Sequence, residues 1–157
     1  MLETVKQYSL ALDMLRRHAR VSIVHQETGI PKRLLRTAYV ELHGRSSPPG
    51  STKFSTRGIA RNVKKYKAVV LFAVCFRLVD SHSQDKGNVR DIMTAYDMFE
   101  RTRHSSQLDF SAAWVIARDL RTKQISLVRC GHCGASVLIN AREAARERCV
   151  VCKEVVA

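Results

Sequence analysis

Apolar residues recur every three to four positions along most of this chain, which is the period of an α-helix. In residues 5–19 the apolar line is formed by Val5, Tyr8, Leu12 and Leu15. Stretches with the same period follow at 21–27, 32–43, 63–79, 89–101 and 110–120. The pattern therefore predicts a mainly α fold.

The stretch 63–79 is the most apolar of these and predicts a central buried helix, with Cys75 as a core residue. Its longest uninterrupted apolar run, 68–76, is far too short to span a bilayer. Together with 89–101, this stretch carries more apolar surface than a chain of this size needs for its own core. We therefore expect 59–122 to form a helical core and a partner-binding region.

The second and third predicted helices are joined by a turn at residues 28–31. Gly29 can adopt a positive φ there, and Pro31 suits the start of the next helix. A helix, a glycine turn and a basic helix are typical of a helix-turn-helix motif. His25 departs from that motif, because a small residue is usual where the two helices approach closely. An ordinary three-helix core with a solvated basic face is the alternative.

The third predicted helix, 32–43, has an apolar and a basic side, and Gly44 is expected to end it. Four apolar residues are expected to face inward: Leu34, Leu35, Ala38 and Leu42. Four polar residues near the start of the helix are expected to enter a DNA major groove: Lys32, Arg33, Arg36 and Thr37.

The charge of the chain points to the same region. The formal net charge is +13 at pH 7, which favours binding to a polyanion such as nucleic acid. Residues 20–67 contain eleven Lys or Arg and only two acidic residues, Glu27 and Glu41. A binding face is therefore expected in the first half of the chain, although a generic basic surface offset by an acidic partner is the alternative.

Residues 45–56 are rich in Ser, Thr, Pro and Gly and predict a loop. Hydroxyl groups and cations in and beside such a loop suit contacts with phosphates. The candidate residues for these contacts are Arg45, Lys53 and Arg57. Residues 1–58 are therefore expected to form a helix-turn-helix-like DNA-binding region with a basic loop, and a plain linker is the alternative for the loop.

Four cysteines have the spacing of a zinc ribbon: Cys130-x2-Cys133, a gap of fifteen residues, then Cys149-x2-Cys152. Four thiolates leave a tetrahedral Zn²⁺ without an open coordination position, so the predicted zinc is structural. Apolar segments at 127–128 and 137–139 predict two short strands, and 123–157 is expected to form the ribbon. The alternatives are two disulfides, four reduced thiols, or His132 in place of one cysteine ligand.

Two further expectations come from signals that the sequence lacks. The first residues do not form a charged segment followed by an apolar one, as an export signal would, so disulfides are not expected. The sequence contains neither a GxxxxGKS/T phosphate loop nor an HExxH zinc motif. We therefore expect that the protein is not an enzyme.

Three short motifs follow one another from the third helix into the loop: Tyr39-x-Glu41-Leu42-x-Gly44, Ser46-Ser47-Pro48-Pro49-Gly50 and Phe54-Ser55-Thr56. Together with residues 19–21, residues 27–28 and the four cysteines in order, they resemble the signature of the FlhC family. FlhC is the zinc-containing subunit of the bacterial flagellar master activator. The resemblance covers nearly the whole chain.

The resemblance implies a cytoplasmic transcription activator that forms a hetero-oligomer with an FlhD-like subunit, binds promoter DNA and recruits RNA polymerase. It also implies zinc ligation by the four cysteines. Several aromatic positions in the central region and the short stretch after Cys152 depart from the FlhC pattern. These departures also admit FlhC-like activators of conjugative-transfer genes on mobile elements, such as SetC and AcaC. A more distant alternative is an RNA- or ribosome-associated zinc-ribbon protein.

Overall fold

A computed structural model describes residues 1–49, 52, 55–82, 88–102, 104–141 and 148–156 of the 157-residue chain. Within these residues the elements follow in the order α1 (Leu2–Arg16), α2 (Val21–Thr28), α3 (Lys32–His43), α4 (Thr56–Ile59), α5 (Val63–His82), α6 (Val89–Glu100), α7 (Phe110–Arg121), β1 (Ile125–Arg129) and β2 (Ser136–Asn140). A 3-10 turn, Ser105–Gln107, precedes α7. The predicted mainly α fold with a small cysteine ribbon is confirmed.

The chain divides into two compact units. The first comprises residues 1–52 and 109–111, and the second comprises residues 53–108 and 112–157. Helices α1, α2 and α3 lie in the first unit, whereas α4, α5, α6 and both strands lie in the second. The division into 1–58, 59–122 and 123–157 stays a prediction. None of the helices described is long and apolar enough to cross a membrane.

In the first unit, α1, α2 and α3 pack around a core of large side chains. The residues that are almost completely buried there include Met14, Leu15, Ile23, Val24, Leu35 and Tyr39. Helix α2 ends at Gly29 with a φ of 71°, and α3 ends at Gly44 with a φ of 64°. Both glycines adopt the left-handed conformation that their positions after a helix predict.

The inward side of α3 differs from the prediction. Leu35 is buried as expected, but Leu34 and Leu42 are 44% and 39% exposed, so that part of the prediction was wrong. The inward line of the helix runs instead through Leu35, Tyr39 and His43, each four residues after the last. Neighbouring residues on a helix are rotated by about 100°, so Leu34 and Leu42 lie to the side of this line. The large ring of Tyr39, which is fully buried, fills the inward position.

Helix α1 begins at Leu2, earlier than the sequence pattern predicts, and only its last turns reach the core. Val5, Tyr8 and Leu12 are 60%, 46% and 38% exposed. Of the predicted apolar line, only Leu15 is buried. The first two turns of α1 therefore present apolar side chains to solvent.

In the second unit, α5 and α6 form the core together. Phe72 stacks on Phe76 with ring centroids 6.2 Å apart and meets Phe99 edge-on at 6.1 Å. Cys75 is buried in the same helix, as predicted, and this burial raises the pKa of its thiol. Cys75 is therefore a core residue in its neutral form.

Arg121 near the end of α7 ties neighbouring elements of the second unit together. Its Nη2 donates to the carbonyl oxygen of Asn88 at 3.2 Å and lies 3.4 Å and 3.5 Å from carboxylate oxygens of Asp80 and Asp91. Its guanidinium carbon also lies 5.0 Å from the ring centroid of Phe76. One cation thereby links the end of α5 to the start of α6.

Strands β1 and β2 pair in an antiparallel ribbon. Leu127 lies opposite Leu138, and Val128 lies opposite Val137. The two segments predicted as strands are therefore strands, and both extend further than their apolar residues alone predict.

Candidate metal centre and nucleic-acid interface

The four cysteines predicted as metal ligands come together in the structure. Their Sγ atoms all lie within 4.8 Å of one another. The Sγ atoms of Cys130 and Cys152 are 3.6 Å apart, as are those of Cys133 and Cys149. Tetrahedral ligation with metal–sulfur bonds of about 2.3 Å needs sulfur atoms about 3.8 Å apart. The arrangement therefore fits a single metal ion held by four thiolates.

The same distances bear on the alternatives. All four cysteines are free thiols in the structure, and 3.6 Å is far longer than the ~2.05 Å of a disulfide bond. Among the described residues, the group that could hold a metal consists of these four cysteines, and His132 is an exposed residue outside it. The geometry favours one four-sulfur site over two disulfides.

The first cysteine pair is held in a tight turn at the end of β1. The amide of Cys130 donates to the carbonyl oxygen of Ala135 at 2.8 Å, and the amide of Gly134 donates to that of Cys130 at 2.9 Å. Gly134 directly follows Cys133 and has a φ of 69°. Glycine adopts this left-handed conformation without steric cost, which explains its place in the turn.

The second cysteine pair repeats this turn. The amide of Cys149 donates to the carbonyl oxygen of Glu154 at 2.8 Å, and the amide of Lys153 donates to that of Cys149 at 2.9 Å. Lys153 occupies the position that corresponds to Gly134 and has a φ of 67°. For a residue with a side chain this conformation is strained. The two turns therefore share one hydrogen-bond pattern but differ in backbone strain.

Backbone amides in these turns stabilise thiolates. The amides of Cys133 and His132 lower the pKa of Cys130, and that of Cys152 is the largest of the effects that lower the pKa of Cys149 to about 6. An N–H donor favours the charged form of its acceptor, which is here the thiolate. Because a thiolate is the form that ligates a cation, both sulfur atoms are suited to bind a metal ion.

The pKa of Cys152 is shifted in the opposite direction. The amide of Glu154 lowers the pKa of Cys152, but burial and the three neighbouring cysteines outweigh it and raise the pKa to about 12. Four negative charges so close together repel one another, and a divalent cation between them removes that repulsion.

The apolar core beneath the four sulfur atoms is small. Among the described residues, its buried members are Val137 and Val156 together with the candidate ligands Cys130 and Cys149, and Val128, Ala135 and Ile139 pack against them partly buried. So few apolar side chains bury little surface, and small modules of this kind usually need a metal or disulfides to fold.

Two side chains of α5 fasten the ribbon to the helices of the second unit. The hydroxyl of Tyr66 accepts a hydrogen bond from the amide of Leu138 at 3.2 Å. Arg77 Nη1 donates to the carbonyl oxygen of Leu127 at 2.7 Å. Each strand of the ribbon therefore has one polar anchor on the same helix.

The turn between α2 and α3 has its own hydrogen bonds. The hydroxyl of Thr28 donates to the carbonyl oxygen of Val24 at 2.6 Å and accepts from the amide of Ile30 at 3.3 Å. His25 Nδ1 donates to the carbonyl oxygen of Ile30 at 2.8 Å. His25, the residue that departs from the usual motif, is thus fixed against the turn by a hydrogen bond.

The predicted DNA-facing side of α3 is exposed. Lys32, Arg33, Arg36 and Thr37 all lie on the surface, and the Thr37 hydroxyl donates to the carbonyl oxygen of Arg33 at 3.3 Å. Within the part of the chain that the structure describes, none of the three cations forms an ion pair. The helix also begins without a side-chain cap or an acidic residue in its first turn. Its first N–H groups and its cations are therefore available to an anion.

Two of the three loop residues predicted to contact phosphates are exposed. Arg45 is exposed just after α3, and Arg57 is exposed in α4. Lys53 lies outside the described residues. The first part of the loop is tied to the start of α2, because Arg20 Nη1 donates to the carbonyl oxygen of Pro49 at 3.1 Å.

A buried carboxylate that the sequence analysis missed holds the end of this loop. The amide and the hydroxyl of Thr56 both donate to Asp119 Oδ2 at 2.8 Å. Arg118 donates to Asp119 Oδ1 through Nε at 3.1 Å and Nη2 at 2.8 Å. Asp119 is only 4% exposed. The signal available in the sequence was the single acidic residue of α7, which lies beside Arg118 at the end of an apolar stretch.

The chain is similar to a known protein family and to several of its members. The family model for the flagellar transcriptional activator FlhC matches residues 1–156. The flagellar transcriptional regulator FlhC of Cupriavidus necator is 30% identical over 148 residues, which cover 92% of this chain and 72% of that protein. The regulator of the same name from Serratia marcescens is 22% identical over 147 residues, covering 90% and 75%. That of Paraburkholderia atlantica is 21% identical over 142 residues, covering 88% and 65%.

The motifs, the cysteine cluster and these matches lead to one conclusion. The family model spans nearly the whole chain, including the α2–α3 turn, the loop signature and all four cysteines. The chain belongs to the FlhC family of flagellar transcriptional activators.

Proposed function

We propose that this chain is the DNA-binding subunit of a transcription activator and that it reads promoter DNA with α3. The observation that carries the proposal is the exposed, uncapped and cationic start of this helix. Cations at a helix N-terminus oppose the helix dipole and cost about 0.3–1 kcal/mol each. Folding does not explain their presence, whereas a bound phosphate backbone does.

The residues divide into two roles in this proposal. Arg36 lies one turn into α3, where a recognition helix presents side chains to base edges, and its guanidinium can pair with guanine in the major groove. Arg45, Lys53 and Arg57 contact phosphates, which position the protein without reading sequence. Sequence preference therefore depends on the helix, and salt dependence depends on the loop.

The four cysteines hold one structural Zn²⁺ in this proposal. A tetrahedral site of four sulfur atoms is typical of zinc or of iron–sulfur centres, and isolated four-cysteine ribbons take zinc. Four thiolates complete the coordination sphere, so the ion has no position for a reacting water. Its contribution is to fold the ribbon and not to catalyse.

The activator works with an FlhD-like subunit and RNA polymerase in the cytoplasm. Apolar side chains that the lone chain leaves exposed support the need for a partner, among them Leu2, Val5 and Tyr8 of α1 and Leu78 of α5. We expect the chain alone to be prone to aggregation and to bind DNA weakly. Light scattering of the lone and the co-expressed protein tests this, and a monodisperse lone chain that binds the promoter equally well contradicts the need for a partner.

The proposal is tested with the full, zinc-loaded chain co-expressed with an FlhD-like subunit. Fluorescence anisotropy compares a flagellar promoter duplex with a mixed-sequence duplex. Arg36→Ala is expected to weaken promoter binding by about 1–3 kcal/mol and to reduce the preference for the promoter. Lys53→Ala is expected to weaken both duplexes alike and to lower the salt slope by about 0.9.

Arg101→Ala, which removes an exposed cation after α6, is the matched control and is expected to change neither value. If Arg36→Ala weakens both duplexes equally, α3 does not read the sequence. If the unaltered protein binds neither duplex, the chain is not the DNA-binding subunit.

A further inference from the structure

We infer that the start of α5 forms a second contact surface for the phosphates of duplex DNA, made by Arg61, Lys64 and Lys67. These residues belong to the second unit, whereas the reading helix α3 belongs to the first. The inference rests on the proposed DNA-binding function and extends it to a part of the chain without the helix-turn-helix.

The positive charge of this surface is not compensated locally. Arg61, Lys64 and Lys67 are all exposed, and within the described residues none of them forms an ion pair. Between Glu41 and Asp80 the sequence contains no acidic residue at all. A polyanion that approaches this surface therefore meets cations without neighbouring carboxylates to repel it.

The three cations lie within seven residues of one another at the start of α5. Asn62 caps α5, because its side-chain oxygen accepts from the amide of Lys65 at 2.9 Å. Lys64 and Lys67 are three residues apart in the helix and so lie about 5–6 Å from each other at their Cβ atoms. Arg61 immediately precedes the cap. From Arg61 to Lys67 the three residues form a short row of cations along the sequence.

Folding does not favour this placement. The first turn of α5 has no acidic residue, although acidic side chains there would stabilise the helix. Cations in that position oppose the helix dipole, and like charges three residues apart repel each other further. An anion bound at this place removes both costs. The same combination of cations and a helix start occurs in α3, where it supports the proposal that α3 binds DNA.

The backbone that carries the row is held rigidly from the other side. Tyr66 accepts a hydrogen bond from Leu138 of the ribbon, and Thr56 donates two hydrogen bonds to the buried Asp119. The cationic side chains therefore project from a fixed backbone. Binding through a preorganised surface loses less conformational entropy than binding through a flexible one.

Duplex DNA fits this surface better than other polyanions. Single-stranded RNA is bound mainly by stacking on aromatic side chains, and the described part of α5 has no exposed aromatic ring. A membrane surface needs an amphipathic helix whose apolar face is free. The apolar face of α5 is instead buried, with Phe72 and Phe76 in the core.

The test uses the full, zinc-loaded chain co-expressed with an FlhD-like subunit and a labelled mixed-sequence DNA duplex. Anisotropy titrations over a range of salt concentrations give the slope of log K against log salt. The triple variant Arg61→Gln, Lys64→Gln, Lys67→Gln is expected to lower the magnitude of this slope by about 2.7, since each lost phosphate contact lowers it by about 0.9. Its preference for promoter over mixed sequence is expected to stay unchanged.

A matched control removes the same charge from exposed positions of the second unit, through Arg90→Gln, Arg101→Gln and Lys123→Gln. This control is expected to keep the original slope, and the conservative pair Lys64→Arg, Lys67→Arg is expected to keep it as well. If circular dichroism or zinc content shows that the triple variant does not fold, the three single variants decide the question, each with an expected loss of about 0.9.

A triple variant with the slope of its control overturns the inference. The proposed function survives that result if the unaltered protein still prefers the promoter and Arg36→Ala removes the preference. The same titrations are made with a single-stranded RNA. If the triple variant binds the RNA more weakly but the duplex as before, the inference is overturned as well. If the unaltered protein binds no duplex, the proposed function fails first and this inference fails with it.

Discussion

The helix-turn-helix of the first unit and the cysteine ribbon of the second differ in what holds them together. The three helices bury large side chains completely, such as Met14, Leu15 and Tyr39. Among the described residues of the ribbon, the cluster around the cysteines buries only Val137 and Val156 beside two of the candidate ligands, and Ile125 and Leu138 are buried elsewhere on its strands. Burial of apolar surface offsets the chain entropy lost by the helices, but so small a core cannot do the same for the ribbon. We therefore expect the ribbon to depend on the proposed zinc for its fold.

The largest effect is expected when one candidate metal ligand is removed. Cys149→Ala is expected to abolish stoichiometric zinc and to expose the ribbon to proteases, because structural zinc contributes on the order of 10–16 kcal/mol of apparent binding energy. Elemental analysis and limited proteolysis measure both effects. Cys75→Ala is the matched control, since it removes a buried thiol outside the site and is expected to leave about one zinc per chain. A Cys149→Ala protein that keeps its zinc and its protease resistance contradicts the account.

The two regions were also predictable to different degrees. The 3.6-residue period correctly predicted α3 at Lys32–His43. The cysteine spacing predicted that the four candidate ligands lie together, as they do in the structure. The period did not show that Tyr39 would displace Leu34 and Leu42 from the core, because side-chain size decides which of several apolar lines faces inward.

The hydrogen bonds between Thr56 and Asp119 could not be predicted from local patterns either. The two residues are 63 positions apart in the sequence, and only the packed fold brings them together. Periodicity and motif spacing are local signals, whereas a buried polar pair depends on the tertiary arrangement.

The second prediction concerns the helical part of the second unit and its dependence on the hydrogen bonds between Thr56 and Asp119. Asp119→Ala is expected to lower the free energy of unfolding by about 3 kcal/mol, because hydrogen bonds to a charged group contribute about 1.5–3 kcal/mol each. Thr56→Val, which removes only the hydroxyl, is expected to cost about 1 kcal/mol. Urea denaturation of the zinc-loaded proteins measures both. A loss for Asp119→Ala no greater than that for Thr56→Val rules out the carboxylate as the main anchor.

The third prediction compares the two cysteine turns with each other. Lys153→Gly relieves a left-handed conformation that costs about 1–2 kcal/mol, although it also loses the hydrogen bond from Lys153 Nζ to the carbonyl oxygen of Val150 at 3.0 Å. Lys153→Gly is therefore expected to stabilise the zinc-bound ribbon by about 1 kcal/mol net. The reciprocal change, Gly134→Lys, is expected to lose about 1–2 kcal/mol. Competition with a chromophoric zinc chelator measures the change in zinc affinity of each variant. If both substitutions change the affinity in the same direction, the two turns are not equivalent.

The smallest expected effect concerns the first unit and its response to pH. Partial burial, followed by the nearby charges of His43 and Arg45, lowers the pKa of His18 from its usual 6.5. The rings of His18 and His43 lie 4.1 Å apart, and the hydroxyl of Tyr39 lies 3.4 Å from His18 Nδ1. Because the folded protein binds this proton less readily than the unfolded chain, stability is complete above pH 6.5 and falls as the pH drops below it.

His18→Asn removes this titration and suits the local backbone, because asparagine tolerates the φ of 58° at this position. Denaturation of both proteins between about pH 5 and about pH 8 isolates the effect of His18, since the pH dependence of the metal site is common to both. The original protein is expected to lose slightly more stability at the acidic end. Parallel curves for the two proteins would show that His18 does not contribute.

Hydrogen exchange of the full chain, with and without a strong zinc chelator, tests the central claim most directly. If an apolar core holds the helix-turn-helix and a metal holds the ribbon, the chelator removes protection from the amides of β1, β2, Cys130 and Cys149. The amides of α1, α2 and α3 then keep their protection. Equal loss in both regions, or a ribbon that stays protected without its metal, contradicts the account.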